Sequence, residues 1–157
     1  MKNTRTPLDR MDLDILGALQ QDARLTAQEL AQRLGLSASQ VGRRRQRLET
    51  EGYVHHYTAR LDPAALGLSV QAFIEVSMAT HGIENATSFM RLIGTCREVT
   101  SAWTLTGAAD YMLRCYCEDL PSLNRLIHEV LLPHPSVARV QSQIVMDQFK
   151  IDAPLPL

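Results

Sequence analysis

The 157-residue sequence predicts an α+β chain in two parts. Three observations point there. Apolar residues recur at helical spacing three times in the first fifty residues, with capping residues between. A Pro- and Gly-punctuated stretch follows at 61–67. Beyond it, period-two and period-3.6 patterns alternate in the order β-α-β-β-α-β, which is the ferredoxin-like split arrangement.

The first helix is expected over residues 8–20, where Leu8, Met11, Ile15, Leu16 and Leu19 share a face. Asp9, Asp12 and Asp14 lie near its start, where the helix dipole favours negative charge. They read as dipole partners rather than metal ligands. A second helix spans 27–34, with Thr26 as N-cap, Leu30, Ala31 and Leu34 inward, and Gly35 as its stop. Leu36 then plugs the core, and Ser37 opens a third helix with Gln40 completing a capping box. Helix, glycine turn, capped helix is the helix-turn-helix arrangement.

The third helix carries the chemistry. At about 100° per residue, Gln40, Arg43, Arg44 and Arg47 share one sector, while Val41 and Leu48 face a core. No acid lies between Ser37 and Leu48, so nothing within that stretch neutralises its arginines. Such a helix suits the DNA major groove. Arg43, Arg44 and Arg47 are expected to share guanine reading and phosphate clamping, with Gln40 on adenine. Ser37 and Ser39, with the N–H groups of the helix start, are expected to hold phosphate. An arginine run can equally be a solvated face, and the preceding helices decide for DNA.

The helix ends at Gly52, and residues 53–61 are β-prone enough for a small wing. His55 and His56 would point to opposite faces of a strand, which makes a poor chelate. Residues 1–60 thus form a winged helix-turn-helix domain, and 53–67 serve as strand linker. A short helical turn is expected between Pro63 and Gly67.

In the second part, residues 68–150, strands are expected at 70–78, 99–106, 111–118 and 137–149. Helices are expected at 85–93, with Phe89, Leu92 and Ile93 inward, and from Asp119 to the Pro133 boundary. The latter shows an apolar stripe of Leu123, Leu126, Ile127, Val130 and Leu131. Two helices cover only one face of such a sheet, so the open face is expected to pair with a second subunit. The tail at 151–157 should be disordered or laid on a neighbouring subunit.

Composition sets the bounds. The hydrophobic fraction is 45%, ordinary for a folded domain. Net charge is −1, yet residues 1–66 carry +2 and residues 67–157 carry −3, consistent with a basic reader joined to an acidic module. No apolar run reaches membrane-spanning length and no secretory core is evident, which predicts a cytoplasmic, nucleoid-associated protein without membrane contact. Cys115 and Cys117 read as buried small hydrophobes and Cys96 as more exposed; no four-ligand metal pattern is present. His81, His128, His134 and Asp110 form no nucleophile–base–orienter set, so no enzyme and no cofactor are expected.

The whole chain resembles the Lrp/AsnC (leucine-responsive, feast/famine) transcription regulators. The resemblance rests on Leu8, Asp12, Ile15, Leu16, Gln20, Asp22 and Arg24, then on the segment from Glu29 to Ser37. It continues through Arg44, Leu48, Gly52, Tyr57, Pro63 and Gly67, the turn Thr106, Gly107, Asp110 and Leu113, and Pro135, Val137, Ser142 and Met146. It implies double-stranded DNA as partner and a homodimer through the sandwich, often extended to tetramers or octamers. It also implies a small amino-acid effector held between sandwich domains. The pocket would take Thr106, Gly107, Asp110 and Tyr111 from one subunit, and Ser142, Gln143 and Ile144 from another.

Physical chemistry supports that carry-over. Gly107 permits close approach to the backbone, Asp110 suits an ammonium, and turn N–H groups suit a carboxylate. Asp and Gly are also ordinary turn residues. Two departures stand out. Arg45 replaces an apolar residue, its stem packing while its head reaches phosphate or an acid of the first helix. Ala108 and Ala109 leave the turn bare, which implies a roomier pocket. The alternative to a ligand-tuned regulator is an architectural protein that bends DNA with little sequence choice.

Overall fold

The computed structural model describes residues 6–80 and 82–157. They fall into two compact units, the described residues up to 60 with 150–157, and the described residues from 61 to 149. His81, one of the titratable groups considered above, lies outside the described residues.

The helical unit contains α1 (Arg10–Gln21), α2 (Ala27–Leu34) and α3 (Ala38–Thr50). Each begins with a reciprocal capping box: Asp9 with Asp12, Thr26 with Glu29, and Ser37 with Gln40. In each box the N-cap side chain accepts from the N3 backbone, and the N3 side chain accepts from the N-cap backbone. Gly35 closes α2 at φ 67°, a left-handed conformation that a β-carbon disfavours. Ile15, Leu19, Leu25, Leu30, Ala31, Val41 and Leu48 form the core, and Leu8, Leu16, Leu34, Leu36, Tyr53 and Val54 pack around it.

One sequence expectation fails here. Residues 53–61 form no strand. Their β propensity finds no edge to pair with in this unit, and β propensity without a partner strand fixes nothing. The tail, expected to be disordered or laid on a neighbouring subunit, meets α1 within the chain, where Leu155 hydrogen-bonds Gln20 in both directions.

The second unit begins with a 3₁₀ turn at Ala64–Leu66, between Pro63 and Gly67. Its elements are β1 (Val70–Met78), α4 (Ile83–Thr95), β2 (Val99–Thr104), β3 (Tyr111–Cys117), α5 (Leu120–Arg125) and β4 (Val137–Ile144). The four strands make one antiparallel sheet, ordered β2-β3-β1-β4. Alternate residues Ala72, Ile74, Val76 and Met78 of β1 join Leu113, Cys115 and Cys117 of β3 beneath the helices. Phe89 and Ile93 of α4 and Leu123, Leu126 and Leu131 complete that core. Burial pushes the Cys115 thiol up to about 12, as expected of a cysteine acting as a small apolar side chain.

The second helix of this unit departs from the predicted regular stripe. After Arg125 it continues as a π-helix, Leu126–Leu131. The N–H of Leu132 accordingly bonds the carbonyl of Ile127, five residues back. The wider turn puts Leu126 and Leu131, five apart, on the buried side, while Ile127 and Val130 are only half-buried. All five residues of the predicted stripe still face the core; the π-helical turn is what a 3.6-residue period does not anticipate.

On the opposite sheet face the strand register sets Phe73 of β1, Met112 of β3 and Trp103 of β2 on one side, with Glu75, Arg114 and Tyr116 among them. Trp103 keeps 45% of its surface exposed. Within the sandwich unit no helix covers this face, since both pack on the other.

Candidate nucleic-acid interface

The most outward stripe of α3 is set by its buried one. Val41 and Leu48 are fully buried. Opposite them, at helical spacing, stand Ser39, Arg43, Gln46 and Thr50, all exposed. Gln40, Arg44 and Arg47 lie on the flank that faces the start of α1, across a groove of about 500 Å³ lined by Thr6, Pro7, Asp9 and Asp12 as well.

That flank is not an uncompensated cationic face. Asp12 is 1% exposed and receives three donors: the backbone N–H of Asp9, Arg44 Nη1 at 2.7 Å and Arg47 Nη2 at 2.5 Å. Arg44 Nη1 also reaches Asp9 at 2.8 Å. Burial pushes the Asp12 carboxyl up, but the bonds from Arg47, the Asp9 N–H and Arg44 outweigh it and hold the group at about 2. Arg44 and Arg47 keep 30% and 28% of their side-chain surface. Each guanidinium has five donors, so both retain N–H groups for a further anion.

Arg45 pairs with an acid of its own helix and not with one of the first helix. Its Nε bonds Glu49 of the same helix at 3.0 Å, its Nη1 bonds the Leu25 carbonyl at 2.8 Å, and its guanidinium lies 5.0 Å from the Tyr57 ring centre. The Tyr57 hydroxyl donates to the same Glu49 oxygen at 2.7 Å. The Tyr57 and Arg45 bonds lower the Glu49 carboxyl and fasten the residues after α3 to the helix. Among the four arginines of α3, only Arg43 forms no ion pair with a described residue.

The polar caps carry a constraint too. Gln40 Oε1 accepts from both the N–H and the hydroxyl of Ser37, which leaves the Gln40 amide nitrogen as its outward group. Bidentate adenine reading needs both amide atoms. Gln46 presents an exposed amide one turn beyond Arg43, and sequence reasoning missed it. The signal was available in its position opposite Val41 and Leu48, but the arginines drew attention to the flank.

In the sandwich unit, Gly107 takes φ 121° in the turn between β2 and β3. Asp110 organises that turn. Its carboxylate accepts the Met78 N–H at 2.7 Å, its N–H donates to Val76, and its carbonyl accepts from Leu105. Met78 lies where the β1–β4 register shifts, so the carboxylate satisfies a donor at a break in the ladder. Beside it a pocket of about 390 Å³ is lined by Met78, Thr80, Ile83, Thr104, Asp110 and Tyr111, among others; Thr106 and Gly107 stand outside it.

One chain does not bring the two halves of the expected effector site together. Tyr111 pairs with Val76, whereas Ser142 on the outer strand β4 pairs with Ile74, two strands across from β3. Register also splits the second half. Ser142 and Ile144 oppose Ile74 and Ala72 of the helix-covered face, and Gln143 opposes Phe73 on the other. Among the described residues no group of three or more acidic, histidine or cysteine side chains is placed to hold a metal, and no helix is long and apolar enough to cross a membrane.

The helix-turn-helix, with its arginine-bearing third helix, places the chain in the class of helix-turn-helix DNA-binding proteins. Residues 8–55 match the winged helix-turn-helix DNA-binding family, and residues 71–155 match the Lrp/AsnC ligand binding domain. The Bkd operon transcriptional regulator of Pseudomonas aeruginosa is 37% identical over 150 residues, 96% of this chain and 98% of that one. The leucine-responsive regulatory protein of Escherichia coli is 32% identical over 91% of this chain and 87% of its own. A Neisseria meningitidis transcriptional regulator, solved as an L-Met complex, superposes with a TM-score of 0.91 at 36% identity, covering 96% and 97% of the two chains. The chain belongs to the Lrp/AsnC family of transcriptional regulators, with a DNA-binding helix-turn-helix and a ligand-binding domain.

Proposed function

We propose that this regulator selects DNA by sequence and that a small amino acid, bound between the sandwich domains of paired chains, tunes it. The observation that carries this reading is the similarity to the Neisseria regulator crystallised with L-Met, which extends over nearly the whole chain.

On the DNA side, Arg43 reads a guanine edge and Gln46 an adenine edge, because both lie on the outermost stripe of α3. Arg44 and Arg47, braced by Asp12, direct their remaining donors to phosphate. Ser39 and the Gln40 amide nitrogen hold the phosphate beside the helix start, while the N–H and hydroxyl of Ser37 are both committed to Gln40 Oε1 in the cap. Two chains paired through the Phe73–Trp103–Met112 face offer two such helices to the two halves of a pseudo-palindrome. On the ligand side, the turn carrying Thr106, Gly107, Asp110 and Tyr111 supplies one wall, and Ser142, Gln143 and Ile144 of a second chain supply the other. Ligand binding shifts regulation only insofar as it favours one packing of chains over another.

The deciding experiment is a fluorescence-anisotropy titration of the DNA upstream of the gene against a scrambled duplex, at near-physiological salt, with and without each amino acid, L-Met first. The expected result is preference for the upstream duplex that one amino acid shifts. Equal binding to both duplexes, insensitive to every amino acid, overturns the reading in favour of an architectural role.

A further inference from the structure

We propose that the helical unit carries a docking groove for the chain's own C-terminal segment, which closes on it as a reversible clasp. The groove lies between α1 and the residues after α3. A cavity of about 360 Å³ remains there, walled by Leu16, Leu19, Tyr53 and Val54 on one side and by Leu155 and Leu157 of the tail on the other.

Two polar fastenings fix the register. The Gln20 side-chain amide reads the main chain of Leu155 on both sides, its Oε1 accepting the Leu155 N–H at 2.6 Å and its Nε2 donating to the Leu155 carbonyl at 3.3 Å. Three residues earlier, Arg60 Nη1 donates to the Asp152 carbonyl at 3.3 Å and sits 3.5 Å from its carboxylate. The segment between is suited to this role. Pro154 and Pro156 flank Leu155, so the Pro-Leu-Pro-Leu end favours an extended polyproline II course that loses little entropy on docking. Proline also lacks an N–H, so of residues 154–156 only Leu155 offers a main-chain donor, and Gln20 takes it.

The clasp is reversible by construction. Leu155 and Leu157 still expose 72% and 59% of their surface, so the apolar contribution is small and the two fastenings carry the register. Such a contact holds chiefly because the segment is tethered at high effective concentration. The helical unit is thus built from two chain segments, the residues up to 60 and those from 150.

The test is a labelled peptide of residues 150–157 titrated into protein truncated after Phe149. Saturable anisotropy is expected, at least tenfold weaker with Gln20→Ala and at least tenfold weaker again with the intact chain, whose own tail already engages Gln20. No saturation, or equal affinity for all three proteins, overturns the proposal. A second measurement uses the full chain. Amide hydrogen exchange at residues 53–58 should speed up on Gln20→Ala, and an unchanged rate counts against the clasp. To identify whose tail docks, Gln20→Cys with Leu155→Cys in a Cys96→Ala background is treated with a short bis-maleimide. A bridge within one chain is expected; a bridge only between two chains, or none, overturns the assignment.

Discussion

Asp12 is the residue on which the reading surface depends. Its carboxylate joins the first turn of α1 to two arginines of α3, 32 and 35 positions away. Replacing it by Asn keeps the shape and removes the charge, leaving Arg44 and Arg47 paired with nothing as strong. Breaking a well-buried pair costs about 3–5 kcal/mol. Here both arginines retain water contact, so a loss of about 2–3 kcal/mol is expected from urea unfolding at pH 7. The pH dependence has a definite sign. A carboxyl held at about 2 when folded and near 4 when unfolded contributes stability that is complete above pH 4 to 5. That contribution, about 2 kcal/mol, disappears as pH falls through 4 towards 2. The gap between native and Asp12→Asn proteins should therefore narrow in unfolding curves recorded from pH 4 down and close only at about pH 2 and below; a constant gap would show that charge is not what Asp12 supplies. Arg43 makes a different prediction. Arg43→Ala should leave stability unchanged, since the side chain is exposed and unpaired among the described residues. It should cost about 1–3 kcal/mol of preference for the upstream duplex over the scrambled one if it reads a base edge. A Gln46→Ala variant tests the second member of the stripe in the same titration.

At the scale of elements, the caps are what the sequence made legible. Ser37 with Gln40, Thr26 with Glu29, and Gly35 after Leu34 announce helix ends because their chemistry is local, confined to four residues. Ser37→Ala should cost about 1 kcal/mol of stability, read as a lower midpoint in thermal or urea unfolding. What the sequence withheld is non-local. Nothing near Arg44 or Arg47 indicates a buried carboxylate one helix away. Residues 53–61 look like a strand, but a strand exists only where another lies beside it. The stripe from Leu123 to Leu131 reads as regular helix, yet packing selects Leu126 and Leu131 at a five-residue interval. Leu131→Ala should cost about 2–5 kcal/mol as a fully buried leucine. Of the candidate site, the DNA-facing helix was legible as a whole, but which of its arginines are free for DNA was not.

For the molecule as a whole, the open face of the sheet is the feature that a single chain leaves incomplete. Phe73, Met112 and Trp103 line it, and Trp103 is the chain's one tryptophan. If this face pairs with a second copy, Trp103 leaves water on association. Its emission should then shift to shorter wavelength as protein concentration rises, and Trp103→Arg should hold the protein as monomer in sedimentation. Emission independent of concentration, with the native chain a monomer at all concentrations tested, would refute pairing through this face.

The strand order carries one more consequence. With β4 at one edge of the sheet and the Gly107 turn two strands away, a ligand that must touch both finds them only across two chains. Such a ligand is held by pairs and not by single chains, so its apparent affinity tightens as the protein becomes abundant and levels off once pairing is complete. A cell containing this regulator would then sense nutrient and regulator dose as a product, through one binding event.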